Sequence, residues 1–383
     1  MKANFILGAG FSMPAGYPSG AALNQKFFSG VERKLLKHSS GEWHWDDYNE
    51  ATSHNGRLNT DHVKYSYLLS ELVEQYQLQT AKIFNYEEFY DWYLDYSTSG
   101  HIGSCYEAVN SRLSIELSNP PKTSLLQEWE LIDETIYNII NYLISDLLCR
   151  HYKRDQTVDN YRGFLNNLRT CEEVNVFSLN HDMLVEYLFK ENDLIYSDGF
   201  SENDSPIIGT NEEKLPVFQN TYDTAVRLYK LHGSIDYYIY EEANESGARV
   251  DHTGNSWFYK PQSYYNRHGS RRVGDNGEAL QSFPQTKVYP QFLTGKDKSN
   301  IIESHLIYKS MFETFENSFV NIDTLVIVGY SYGDAHINRI IKQGLDNYNF
   351  NIVNINPWRH FPFRKNYKNV QVDFLDTIEE ISL

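Results

Sequence analysis

Five short segments of the chain combine residue types that bind phosphate, hydrogen-bond a sugar or accept a proton. The first is Gly8-Ala9-Gly10-Phe11-Ser12, which is followed after three residues by Gly16-Tyr17-Pro18. Two glycines at this spacing let the backbone turn tightly and approach a pyrophosphate, whose charge free N–H groups would meet. A tight structural turn is the alternative for the glycine pair taken by itself.

The second and third segments carry an amide, a carboxylate and an imidazole. In Asn180-His181-Asp182, Asn180 can hydrogen-bond a ribose hydroxyl or a water, and Asp182 can hold a carboxamide. The alternative is an Asx turn that places Asp182 at the start of the next helix. His232, followed by Gly233, is a candidate general base because an unperturbed histidine titrates near pH ~6.5. A lone histidine is more often structural.

The last two segments are Gly329-Tyr330-Ser331-Tyr332-Gly333-Asp334 and Asn356-Pro357. Gly329 allows a close backbone approach, and Ser331 can bind a phosphate oxygen. Asp334 can cap the following helix. Asn356 can contact a second ribose.

All five segments follow predicted apolar strands, at residues 5–7, 174–178, 226–231, 324–328 and 351–355. Helices are predicted between them, including 301–319 and 334–346. This alternation predicts an α/β fold, a Rossmann-like parallel sheet with helices on both faces. Such sheets bind ligands beyond the carboxyl ends of their strands, where the strand order reverses.

A long helical segment separates the first motif from the second. Its predicted helices are 20–37, 62–78, 86–96, 105–117, 123–152 and 160–169, with an exposed loop over 39–61. Aromatic residues at 86, 89, 90, 93 and 96 form an amphipathic stripe, which indicates packing between helices or an oligomer interface. We therefore predict an α/β domain from 1–24 and 171–383, with a helical insertion, 25–170, packed on it. Short strands are also predicted at 237–240 and 256–260.

Composition excludes several classes of function. The 383 residues include 34 basic and 51 acidic ones, a net charge of −17 that would repel a phosphate backbone, so we expect no direct nucleic-acid partner. No stretch reaches the ~18 apolar residues of a membrane span, and no signal peptide is evident, so we expect a cytoplasmic protein without a membrane partner. Cys105, Cys149 and Cys171 form no CxxC pair and cannot make a four-thiolate zinc site.

Taken together, the motifs resemble those of the sirtuin-like NAD-binding family. Residues 8–12 with 16–18 are similar to the sirtuin Gly-Ala-Gly-x-Ser and Gly-x-Pro pattern, Asn180-His181-Asp182 to Asn-x-Asp, and His232-Gly233 to the catalytic His-Gly. Segments 329–331 and 355–356 look like the Gly-x-Ser and Ile-Asn motifs. Ser19-Gly20-Ala21 stands where deacylases have Asp-Phe-Arg, and their zinc module is missing.

The pattern therefore looks like that of bacterial anti-phage sirtuin-like domains, which hydrolyse NAD to ADP-ribose and nicotinamide. This resemblance implies NAD as substrate, no metal, a homo-oligomer and a HerA-type hexameric ATPase as a possible partner. It implies catalytic roles for Asn180, His232 and Asp182. It also implies NAD contacts from Gly8, Ala9, Gly10, Phe11, Ser12, Pro18, Gly329, Ser331 and Asn356. An NAD-dependent protein deacylase and a non-hydrolytic NAD or ADP-ribose sensing module remain alternatives.

Overall fold

Helices and strands make up most of the part of the chain that the computed structural model describes. The described residues are 1–28, 35–37, 43–45, 60–82, 84–116, 129–149, 159–240, 242–243, 249–250, 257–261, 270–274, 276–278, 290–293, 298–357, 359–364, 367 and 372–380. The strands are β1 (Lys2–Leu7), β2 (Leu35–Lys37), β3 (Trp43–Trp45), β4 (Glu173–Ser178), β5 (Gly199–Ser201), β6 (Ile207–Ile208), β7 (Val217–Thr221), β8 (Val226–Lys230), β9 (Tyr238–Tyr240), β10 (Glu242–Ala243), β11 (Arg249–Val250), β12 (Trp257–Tyr259), β13 (Arg271–Arg272), β14 (Thr324–Val328), β15 (Asn351–Ile355) and β16 (Val372–Leu375). The helices are α1 (Ala9–Ser12), α2 (Gly20–Phe28), α3 (Thr60–Thr80), α4 (Tyr86–Thr98), α5 (Ile102–Glu116), α6 (Trp129–Cys149), α7 (Arg162–Thr170), α8 (Leu184–Glu191), α9 (Lys298–Ser304), α10 (Leu306–Asn317) and α11 (Ala335–Asn347).

A six-stranded parallel sheet, in the order β16-β15-β14-β1-β4-β8, forms the centre of the α/β part. From β1 the chain builds outward through β4 to β8, and then returns to the other side of β1 to add β14, β15 and β16. The strand order therefore reverses between β1 and β14. This sheet confirms the predicted α/β, Rossmann-like fold, and the reversal marks the edge where such sheets bind ligands.

Helices cover both faces of the sheet, as the apolar strands require. Ile6, Phe177 and Leu325 belong to one hydrophobic cluster with residues of α10 and α11. Phe5 points to the opposite face, because successive side chains of a strand alternate, and its ring meets that of Phe164 in α7 at 5.4 Å. Burial of both strand faces explains why residues 5–7 of β1 and 325–328 of β14 are continuous apolar runs.

Two compact units divide the chain. The first contains Met1–Ser19, Leu148–Leu293 and Ser299–Leu383, and the second contains Gly20–Leu147 and Thr294–Lys298. The predicted domain limits, 1–24 with 171–383 and 25–170, stay a prediction.

Aromatic side chains form much of the interior of the second unit. Tyr86, Phe89, Tyr93 and Tyr96 of the predicted stripe are buried, and Tyr90 is half-buried. The Phe89 ring meets that of Tyr76 in α3 edge to face at 5.7 Å. The stripe thus packs between helices, as one of its two interpretations predicted.

Several predicted elements were wrong in detail. The predicted helix 20–37 ends at Phe28, and β2 occupies its last three residues, paired with β3 inside the segment predicted as a loop. The predicted helix 301–319 is interrupted at His305, between α9 and α10. Residues 9–12, predicted as part of a tight glycine-rich turn, form a short helix. Strand β16 was not predicted at all.

Other parts of the predicted helices and of the predicted loop lie outside the described residues: 29–34, most of 39–59, 117, 123–128 and 150–152. The predicted strands 237–240 and 256–260 correspond to β9 and β12, which pair in a separate sheet of order β5-β7-β12-β9. Within the described part of the chain, no helix is long and apolar enough to cross a membrane.

One buried hydroxyl secures the segment after β1. Tyr161 is fully buried, its Oη donates a hydrogen bond to the carbonyl oxygen of Phe11 at 2.6 Å, and its ring lies 5.0 Å from that of Phe11. We expect Tyr161→Phe to lower the free energy of unfolding by about 1–2 kcal/mol, because a buried hydrogen bond is lost while the ring packing stays.

The measurement is the shift of the urea unfolding midpoint. Tyr348→Phe is the matched control, since Tyr348 is exposed, and we expect a change within about 0.5 kcal/mol. Equal effects of the two substitutions would show that the Tyr161 hydroxyl does not anchor this segment.

Candidate functional site

Three glycines bring the backbones after β1 and β14 into direct contact, where the strand order reverses. The Gly8 N–H donates to Val328 O at 2.9 Å, and the Gly10 N–H donates to Gly329 O at 3.0 Å. A Cβ on Gly8 would lie 2.6 Å from Gly329 O, and one on Gly10 would lie 2.6 Å from Gly329 Cα. Gly329 has φ +62°, and a Cβ there would overlap the Gly10 Cα and the Phe11 N. No side chain fits between these segments, so all three positions require glycine.

The remaining residues of the first motif are mostly engaged in the fold. Phe11 is buried, and its ring lies 5.1 Å from that of Phe164 in α7. Ser12 is also buried, whereas Ala9 is exposed. Pro18 is half-buried and follows a turn at Gly16, whose φ is +89°. The Phe11 N–H donates to the Gly8 carbonyl oxygen at 2.9 Å, so the N–H groups of Gly8, Gly10 and Phe11 are engaged within the protein and are not the free donors predicted for a pyrophosphate.

Asn180, just beyond β4, is held by the first motif. Its Nδ2 donates to the carbonyl oxygen of Gly8 at 2.9 Å and to Ser12 Oγ at 3.0 Å. A carbonyl oxygen can only accept a hydrogen bond, so the nitrogen of the Asn180 amide, and not its oxygen, faces Gly8. The Asn180 Oδ1 accepts no hydrogen bond from the residues that the structure describes. Asn180 thus offers an acceptor at the carboxyl edge of the sheet.

Asp182 is buried and forms the Asx turn that was its alternative interpretation. Its Oδ1 accepts from the backbone N–H of Leu184 at 3.0 Å, at the start of α8. Its carbonyl oxygen accepts a hydrogen bond from Lys230 Nζ, and Lys230 lies at the end of β8. The turn is therefore tied to the neighbouring strand, and the predicted contact of Asp182 with a carboxamide stays a prediction.

Lys230 is itself buried next to a second acid. Its Nζ lies 3.4 Å from Glu186 Oε1, and both side chains are almost completely buried. Burial raises the pKa of Glu186, although Lys230 opposes this effect. This pair fixes α8 against the end of β8.

His232 follows β8 and faces an acid that the sequence interpretation treated only as a helix cap. The His232 Nε2 lies 3.2 Å from Asp334 Oδ2, and the two side chains are 12% and 11% exposed. The neighbouring Gly233 has φ +81°, and a Cβ there would overlap the Gln291 carbonyl oxygen. The loop after β4 lies next to this one, because the Ile235 N–H donates to the His181 carbonyl oxygen at 3.0 Å.

A lysine supports the chain beyond His232. Lys260 Nζ lies 2.6 Å from Asp198 Oδ2 and 3.2 Å from Asp236 Oδ2. Burial alone would lower the pKa of Lys260, but the two carboxylates hold it well above its ordinary value. The charged cluster therefore anchors Asp236, four residues after the histidine.

The loop after β14 is fixed by its own tyrosine and by the last motif. Tyr330 Oη donates to the Asp334 carbonyl oxygen at 3.0 Å and accepts from the Asp334 N–H at 3.1 Å. Asp334 Oδ1 accepts from the N–H groups of His336 and Ile337. The predicted capping of α11 is thus confirmed. Asn356 is buried, and its Nδ2 donates to the Tyr330 carbonyl oxygen at 2.9 Å.

The structure brings most of the predicted residues to one edge. Gly8, Gly10, Gly329, Ser12 and Asn180 are in direct contact, Asn356 joins them through Tyr330, and His232 joins through Asp334. Ser331 and Ala9 are exposed, and Pro18 is half-buried. Sequence reasoning missed the pairing of Asp334 with His232 and the buried Lys230.

Among the described residues, no cluster of three or more His, Cys, Asp and Glu side chains could hold a metal ion.

A Rossmann-like sheet with this glycine contact at its reversal point belongs to a large class of nucleotide-binding α/β domains. The family model described as SIR2-like domain matches residues 174–373, and the chain belongs to this family. A search of the curated proteins finds no match. SIR2-like domains are NAD-dependent enzymes, and the matched range holds Asn180, His232, Gly329 and Asn356. The Gly8 loop lies outside that range but contacts Gly329 within it.

The close backbone packing predicts that Gly329 and Gly333, in the loop after β14, differ sharply in how well they tolerate substitution by alanine. Gly329→Ala should lower the free energy of unfolding by at least about 2 kcal/mol, because alanine disfavours the left-handed conformation and its methyl group would meet backbone atoms. Gly333→Ala is the matched control, since its Cβ would meet only Ser331 Oγ, at 3.6 Å.

Urea unfolding of both variants measures the difference, and the control should stay within about 0.5 kcal/mol of the wild type. If Gly329→Ala were as stable as Gly333→Ala, the loops after β1 and β14 would not pack against each other at backbone distance.

Proposed function

We propose that the protein is an NAD⁺ glycohydrolase that cleaves the bond between nicotinamide and ribose. The observation that supports this most is one contact: Asn180, just beyond the strand beside β1, is anchored on the Gly8 carbonyl oxygen of the glycine loop. The contact fixes the Asn180 amide beside the loop that would hold the diphosphate. His232 lies on the next loop along the same edge, at the end of β8.

The reaction adds water across one bond. NAD⁺ and water give ADP-ribose, nicotinamide and a proton; the C1′–N bond breaks and a C1′–O bond forms. Nicotinamide leaves as a neutral molecule, so the site needs no general acid. The protein must instead favour positive charge developing on the ribose and remove a proton from the attacking water.

The side chains divide these tasks. Asn180 Oδ1 would accept a hydrogen bond from the water or from a ribose hydroxyl and so orient it. His232 would take the proton, acting on the water or on a ribose hydroxyl. Asp182 would hold the carboxamide of nicotinamide.

The remaining residues would bind the rest of the dinucleotide. The loop of Gly8, Gly10 and Ser12, together with Ser331, would line the diphosphate by a close backbone approach. Asn356 would contact the adenosine ribose. No step requires a metal ion.

The wider setting is also part of the proposal and rests on the resemblance alone. We propose that the enzyme depletes NAD in the cytoplasm during anti-phage defence, acts as a homo-oligomer and associates with a HerA-type hexameric ATPase. The net charge of −17 supports the expectation that the chain does not bind nucleic acid directly.

Two substitutions test the chemistry. We expect Asn180→Ala and His232→Gln each to reduce nicotinamide release by about 10²-fold or more, because one removes the fixed acceptor and the other the base. Chromatography of NAD⁺ incubated with the pure protein, with and without the product of the neighbouring gene, measures the rate. Asn166→Ala and His101→Gln are matched controls, since both residues are exposed, and should keep the wild-type rate.

Each other outcome points to a different function. Nicotinamide release that survives both site substitutions at the wild-type rate would refute the assignment. Tight ADP-ribose binding without any release would favour the sensing module. Formation of O-acetyl-ADP-ribose with an acetylated peptide would favour the deacylase.

A further inference from the structure

Asp334 uses its two carboxylate oxygens for two different tasks. Oδ1 accepts from the His336 N–H at 2.9 Å and from the Ile337 N–H at 3.3 Å, which caps α11. Oδ2 lies 3.2 Å from His232 Nε2. Because the cap fixes the carboxylate plane, the second oxygen has a fixed position relative to the imidazole.

The backbone of Asp334 is held as firmly as its side chain. The Tyr330 hydroxyl accepts from the Asp334 N–H, and its single hydrogen is shared between the Asp334 carbonyl oxygen at 3.0 Å and Asn338 Oδ1 at 3.1 Å. On the other side, the His232 carbonyl oxygen accepts from the Leu293 N–H at 2.9 Å. Both partners of the pair are therefore positioned by contacts that do not depend on each other.

The pair determines where the imidazole carries its hydrogen. An ionised carboxylate can accept a hydrogen bond but cannot donate one, so two lone pairs would face each other at 3.2 Å unless Nε2 carried the hydrogen. In a neutral imidazole the lone pair then lies on Nδ1. Among the described residues, nothing forms a hydrogen bond with the His232 Nδ1.

We propose that Asp334 is a positioning residue that holds His232 as the Nε2–H tautomer, so that Nδ1 is the atom that accepts the proton. The role of Nδ1 as proton acceptor rests on the proposed function, whereas the assignment of the tautomer does not. In the proposed reaction a proton moves from the water or the ribose hydroxyl to Nδ1, and the resulting imidazolium is stabilised by the Asp334 carboxylate.

The test replaces Asp334 with residues that also cap helices. Asp334→Asn keeps an acceptor for the His336 and Ile337 N–H groups, but its amide nitrogen would face His232 and donate to Nε2. The hydrogen would then move to Nδ1, which can no longer act as a base; an Asp→Asn change beside a catalytic histidine inverts the tautomer in this way. Asp334→Ser also keeps the cap but removes the partner of Nε2.

The first readout is ¹⁵N NMR of protein labelled at histidine, with His232→Gln used to assign the His232 signals. We expect the wild type to carry its hydrogen on Nε2, Asp334→Asn to carry it on Nδ1, and Asp334→Ser to show a mixture. Asp346→Asn is the matched control on the same helix, because Asp346 bonds Tyr367 instead, and it should leave the His232 signals unchanged.

The second readout is kinetic. Asp334→Asn should reduce kcat by about 10²-fold or more while the Kd for ADP-ribose changes by less than about 3-fold, since the cap of α11 is kept. A structural role alone would weaken binding and lower the unfolding midpoint instead.

Failure of the inference and failure of the proposed function are distinguishable. Unchanged His232 signals in Asp334→Asn would overturn the pairing even if the enzyme is active. An inverted tautomer with an unchanged rate would overturn the role of Nδ1. If the wild type releases no nicotinamide, the proposed function fails, and the catalytic role of Nδ1 falls with it. The NMR comparison would still decide whether Asp334 sets the tautomer.

Discussion

The close contact between the loops after β1 and β14 is the constraint on which the site depends. Parallel pairing places the ends of β1 and β14 side by side, with Leu7 opposite Val328. The next residues must then pass each other at backbone distance, which only Gly8, Gly10 and Gly329 allow. At these positions the absence of a Cβ lets one loop approach the other at the edge of the sheet where the strand order reverses.

Around this contact, polar side chains are fixed mainly by buried hydrogen bonds and ion pairs. Asn180 is anchored on Gly8, Asp182 is tied to Lys230, and Asp236 is tied to Lys260. Each contact joins a loop to a neighbouring strand or loop and so limits its motion. Buried ion pairs contribute little to net stability but are costly to break, which suits the positioning of a site better than the stabilisation of a core.

The periodic parts of this arrangement could be predicted from the sequence, and the rest could not. Short apolar runs followed by Gly8, Asn180, His232, Gly329 and Asn356 predict parallel strands with polar ends, because burial on both faces leaves that pattern. Strand β16 is only four residues long, Val-Asp-Phe-Leu, and lies at the sheet edge, so its sequence is a weak signal for a strand. The pairing of His232 with Asp334 joins two loops that are separated by β1 and β4 in the sheet. No spacing of residues within a short stretch of sequence could therefore predict it.

The register of the paired strands explains how the first two motifs meet, although a long segment of chain separates them. Leu7 lies opposite Ser178 in the pairing of β1 with β4, so Gly8 and Asn180 fall within hydrogen-bonding reach although 172 positions separate them. The entropy of closing such a connection grows only slowly with its length, so an insertion costs the site little. Every predicted site residue belongs to the unit formed by Met1–Ser19, Leu148–Leu293 and Ser299–Leu383. The residues proposed for the chemistry therefore all lie in one unit.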